Sequence, residues 1–114
     1  MASRGGTVTI VYNHFPRITA AIRPAVRVIV QETLADIEIG AKMRVPVDTG
    51  ALMGSIQPEM TGETSGAVYT EIEYSVYQEY GTSRMAATPY MTPAAENERR
   101  HFMRKLGDLE ASLE

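Results

Sequence analysis

The chain has 114 residues, enough for one modest core and therefore a single domain over residues 1–114. Its 44% hydrophobic and 22% charged residues are those of an ordinary globular protein, with a net charge of −3. The absence of cysteine removes disulfides, thiolate catalysis and cysteine-bearing zinc sites. No run of about 18 apolar residues offers a membrane span, and the opening MASRGGTVTI lacks the apolar stretch of a secretory signal.

The charge is unevenly spread. Residues 1–44 hold six Lys/Arg and three Asp/Glu, whereas residues 45–81 hold six acidic residues and no basic one. Residues 82–114 hold five of each sign. A wholly acidic middle is a poor platform for phosphate, which needs Lys and Arg. It reads as a solvated face or as one that meets a basic partner.

In chain order, alternation around Val8, Ile10 and Tyr12 predicts a short strand. From Pro16 to Arg44 the pattern is helical: Ile18, Ile22, Val26, Ile29, Thr33, Ile37 and Ala41 recur at four or three. Pro24 breaks the pattern, so a kink, or a helix that starts there, is expected. A helix of that length would reach about 40 Å, longer than so small a core can cover, so part of it is expected to pack on another subunit. Val45-Pro46 ends it. Asp48 is placed to cap a short turn over residues 49–54. Ile56, Pro58 and Met60 share one side of a strand that Pro58 marks as an edge. Residues 61–66 are a hairpin loop by composition. Alternation then predicts a strand over residues 68–77, with Val68, Thr70, Ile72, Tyr74 and Val76 inward and Tyr69, Glu71, Glu73, Ser75 and Tyr77 outward. Thr92 and Pro93 read as N-cap and first-turn proline of a last helix with an apolar stripe at Phe102, Leu106, Leu109 and Leu113. The order predicts an α+β fold: a small antiparallel sheet packed against one long N-terminal helix and a C-terminal helix.

Catalytic chemistry finds no constellation. His14 and His101 are the only histidines, and neither has metal-ligand company or a nucleophile at helical or hairpin spacing. Glu71 and Glu73 read as a solvated sheet face rather than a paired acid and base. Arg99, Arg100, Arg104 and Lys105 form the best basic patch, with Glu96 placed to pair with Arg100. A small binding or adaptor module using that basic helix is one reading of the whole. Tyrosines 69, 77, 80 and 90, of a type enriched at interfaces, favour an assembly component.

Two stretches carry more. AKMRVPVDTGALMGSI (41–56) follows the long helix, and YSVYQEYGTSRMAATPYMTPAAE (74–96) follows the hairpin. Together they resemble a family of small neck proteins of long-tailed bacteriophages, the head–tail joining or tail-completion proteins. The matching positions are Val45, Pro46, Val47, Asp48, Thr49, Gly50 and Leu52 with Ser55 and Ile56, then Glu79 to Thr82, then Met85 to Pro93. The resemblance implies a virion structural protein with no catalytic residue, cofactor or metal, assembled in the host cytoplasm. It implies a homo-oligomeric ring, six-fold or twelve-fold, between head–tail adaptor or portal proteins and tail terminator or tube proteins. DNA would pass through without sequence-specific binding, and no membrane is involved.

Physical roles can then be assigned. Asp48 caps the turn, Thr49 supports it, Gly50 permits close backbone approach, and Leu52 and Ile56 anchor the turn to the core. Gly81 is expected at positive φ. Tyr80, Thr82, Arg84, Met85, Ala86, Ala87, Thr88, Pro89 and Tyr90 are expected to meet a neighbouring subunit. Glu59, Glu63, Glu71 and Glu73 are expected to face the lumen, where negative charge keeps DNA from sticking.

Overall fold

In the computed structural model, residues 9–12, 20–46 and 50–112 are described. They form β1 (Thr9–Tyr12), α1 (Arg23–Arg44), α2 (Gly50–Ser55), β2 (Gln57–Met60), β3 (Gly66–Tyr69), α3 (Ser75–Tyr80) and α4 (Met91–Ser112). The three strands make an antiparallel sheet in the order β1-β3-β2, and the fold is α+β. His14, Pro16, Ile18 and the segment Val47-Asp48-Thr49, with its predicted cap, lie outside the described residues.

Helix α1 begins at Arg23 with Pro24 in its first turn, where a missing N–H costs nothing. It ends where Val45 turns extended ahead of Pro46. Its stripe is buried at Val26, Val30, Thr33, Leu34, Ile37 and Ala41. Lys42 and Arg44 sit in the last turn, and Arg44 donates to the Gly40 carbonyl at 3.0 Å, which suits the negative end of the helix dipole. α1 lies against α4, β3 and β2. The helices meet at small residues: a Cβ on Gly40 would stand 3.4 Å from the Ala94 Cβ. Pro58 is on edge strand β2, where its missing donor breaks no ladder. Gly66 opens the central strand beneath Leu34, whose Cδ1 would lie 2.3 Å from an added Cβ.

The strand expected over residues 68–77 is not formed. β3 stops at Tyr69, and all four of its residues are buried, so it has no exposed acidic face. The reason is local. Tyr69 pairs with Gln57, the first residue of β2, and α2 precedes it, so on that side a longer strand would have no partner. Thr70 then turns the chain by accepting the Ile72 amide on its hydroxyl, at 3.2 Å. Residues 75–80 become α3, burying Ser75 and Glu79 at helical spacing.

The molecule is elongated. Its radius of gyration is 15.5 Å, against about 13 Å for a compact domain of this length. Ile39 and Met43 are exposed on α1, Met43 at 80%.

Candidate functional site

Helix α4 has no acidic residue in its first turn, so its early amides need an acceptor from elsewhere. Glu79 supplies it. Its Oε1 accepts the amides of Tyr90 at 3.0 Å and Met91 at 2.8 Å, and its Oε2 accepts that of Thr92 at 3.0 Å. The next residue, Pro93, has no amide proton. The four donors that a helix start leaves unpaired are thereby all accounted for. Glu79 is 2% exposed, and its negative charge faces the positive end of the α4 dipole. Thr92, read from sequence as the N-cap, is instead inside the helix and donates its amide to that carboxylate.

Between the carboxylate and the helix it caps, the chain makes an outward excursion. α3 ends on Gly81, whose amide donates to Tyr77 O at 2.7 Å and whose φ is +74°. A Cβ there would stand 2.7 Å from both Ala87 N and Met85 O, so only glycine fits. Thr82 and Met85 exchange backbone hydrogen bonds across a tight turn, and the Thr88 amide donates to Gln78 O at 2.9 Å. Residues 82–89 are all exposed, yet both ends are tied to α3. Tyr74, Tyr77, Tyr80 and Met85 are also exposed, Tyr80 at 67%.

Tyr90 departs from its predicted place at a subunit contact. It is fully buried in the core beside Met91, and its hydroxyl reaches Ser75 O at 3.5 Å. Burial pushes its phenol up to about 12, opposed by the Ser75 side-chain hydroxyl beside it and helped by the negative charge of Glu79. Tyr69 is buried as well.

The first motif follows α1 and meets the end of β3 through Ser55 and Thr70. Val45, Leu52 and Ile56 are in the core. Ser55 joins α2 to the end of β3: its hydroxyl donates to Leu52 O at 2.7 Å and meets the Thr70 hydroxyl, which in turn accepts the Ile72 amide. Gly50 opens α2, but a Cβ there would meet nothing within 4 Å, so close approach does not explain it.

The four acidic residues read as one lining are divided between two ends of the β2–β3 hairpin. Glu59 is on β2, and Glu63 is in the hairpin loop, 3.7 Å from Arg23. Glu71 and Glu73 follow the far end of β3 and are exposed. On α4, Arg99, Arg100 and Arg104 are exposed. Among the described residues this helix has a His101–Glu98 hydrogen bond and a Lys105–Glu32 ion pair, not the expected Glu96–Arg100 pair. Among the described residues no group of three His, Cys, Asp or Glu could hold a metal, and no helix is long and apolar enough to cross a membrane.

The exposed loop, tied at both ends to α3, stands beside the exposed tyrosines of that helix. A family model described as "Bacteriophage HK97-gp10, putative tail-component" matches residues 13–81. That is more than half of the chain, and the protein belongs to this bacteriophage tail-component family. The match takes in Glu79 and Gly81 and stops short of the exposed loop and α4. Searches of curated proteins and of solved structures returned no match.

Proposed function

We propose that the protein is a neck component of a long-tailed phage virion. Copies of it form a six-fold or twelve-fold ring at the head–tail joint, between adaptor or portal proteins and the tail terminator or tube. The ring completes the tail and lets DNA pass. The observation that carries this reading is the 82–89 loop, exposed throughout yet held at both ends by Gly81 and by the Thr88–Gln78 bond. An ordered loop presented to solvent has already lost the conformational entropy that binding otherwise costs, which suits a subunit contact. Exposed Ile39 and Met43 on α1 offer a second apolar contact to a neighbour. The protein has no catalytic role in this reading, assembles in the host cytoplasm and resides in the virion.

Glu59 and Glu63, at the hairpin-loop end, face the channel in this arrangement and repel passing phosphate. Glu59→Lys/Glu63→Lys should leave rings intact and slow DNA exit from particles; unchanged exit kinetics would place this end elsewhere.

The ring is tested by the mass of the assembled wild-type chain and by Met85→Glu, which puts a charge on the exposed loop. A particle of several subunits that falls to a folded 12.5 kDa monomer in the variant is the expected result. Full-size rings from Met85→Glu would remove the loop from the contact.

A further inference from the structure

Helix α4 has two faces of different chemistry. The inner one carries Ala94, Ala95 and Phe102 into the core, with Leu106 and Leu109 packed beside it. The outer one recurs at three and four residues: Arg99, Arg100, Met103 and Arg104, all exposed, Met103 at 58%. None of these three arginines has a hydrogen bond or ion pair among the described residues. Exposed Glu96 and Asp108 lie one turn to either side of the stripe, yet neither pairs with it among the described residues, so the three guanidinium groups around the exposed methionine are open to a partner. Arg and Met are among the side chains enriched at interfaces.

The complementary surface lies elsewhere on the same chain. Tyr77 and Tyr80 are three apart on α3 and exposed, with exposed Glu73 just ahead of the helix. Aromatic faces and a carboxylate are what guanidinium groups bind best, by stacking and by paired hydrogen bonds. One chain cannot satisfy both surfaces by itself. Glu79 of α3 caps α4 at its first residue, so Arg100 and Arg104 lie about 14 to 20 Å further along the axis.

We propose that the arginine stripe of α4 docks onto the Glu73–Tyr77–Tyr80 surface of a second copy of this chain. The two surfaces differ, so the contact is head-to-tail, and repetition closes a ring if the rotation per subunit divides the circle. This inference rests on the ring reading above and supplies it with a contact.

Two variants of the full chain test it, each confined to exposed side chains. Arg100→Glu/Arg104→Glu removes the stripe, and Glu73→Ala/Tyr80→Ala removes the receiving surface. Circular dichroism should show both folded as wild type, and each alone should be monomeric, with association weakened at least ~100-fold. Mixed together, they retain one intact stripe and one intact receiving surface between them. The mixture should therefore stop at a dimer, a result that a self-complementary contact would not give. Arg100→Glu/Arg104→Glu/Glu73→Arg in one chain should recover part of the assembly, and rings should loosen as salt is raised.

Rings from either variant alone overturn this contact and leave the ring reading standing. A wild-type chain that stays monomeric takes both down. Salt-sensitive capture of duplex DNA that is lost in Arg100→Glu/Arg104→Glu, with rings unchanged, would assign the stripe to phosphate and also overturn the proposal.

Discussion

The α1–β3–α4 scaffold and the α3–loop segment are held by different means. The scaffold is an apolar interlock in which Val30, Ile37, Val68 and Met91 are fully buried, and its strength is spread over many contacts. The segment from Gln78 to Thr88 is held at a few points: one carboxylate on three amides, one glycine at positive φ and one backbone bond from Thr88 to Gln78. The first arrangement resists unfolding. The second fixes the position of an exposed loop by its two ends. A single change should therefore lower stability in the first region and displace a surface in the second.

The largest effect should come from the scaffold. Ile37→Ala should lower the unfolding free energy by about 3–4 kcal/mol in denaturant melts, through lost burial and a residual cavity. Gly81→Ala should cost about 3 kcal/mol, from positive φ and from the clash with Ala87 N and Met85 O. A cost below about 0.5 kcal/mol would mean that the turn can relax.

Alkaline titration comes next. The Tyr90 phenol is raised to about 12 in the folded chain, against about 10 when unfolded. Above pH 10 the unfolded state gives up a proton that the folded state keeps. Stability is then lost as pH rises from 10 to 12, by up to about 3 kcal/mol. Tyr90→Phe should remove this slope.

Glu79→Gln should cost about 2 kcal/mol, because its NH2 would face an amide donor that the carboxylate now accepts. Exchange of the amides of residues 90–92 should accelerate more than that of α1, and assembly of the proposed ring should suffer more than the melt does. Uniform exchange across both regions would erase the distinction between them. Ser55→Ala, which breaks the chain from Ile72 through Thr70 to Leu52, should cost about 1 kcal/mol.

The scaffold was legible because burial writes a period into the sequence. The stripe from Val26 through Thr33 and Ile37 to Ala41, Pro24 as the start of α1 rather than a kink, Val45-Pro46 at its end and Pro58 on an edge strand read correctly, while the helix is shorter than the run from Pro16 suggested. The α3 segment did not. SVYQEY alternates well enough for a strand, and a six-residue helix is too short to establish a period of its own. Glu79 aligned with the family pattern, but its capping role was hidden because the helix it caps begins twelve residues later. The available signal was indirect: a last helix with a proline but no acidic residue in its first turn. Tyr90 misled for a related reason, since a tyrosine between two prolines looks like loop until the capped helix pulls it inward.

The Thr88–Gln78 bond and the Glu79 cap close the excursion within one subunit, so the rest of the fold does not dictate how many residues lie between Gly81 and Thr88. Doubling such a loop costs only about 0.6 kcal/mol in closure entropy. Residues inserted at its tip, around Ser83 and Arg84, would alter how far the subunit reaches while leaving the core unchanged. Related phages could thus fit one scaffold to differently spaced neighbours by insertion and deletion alone.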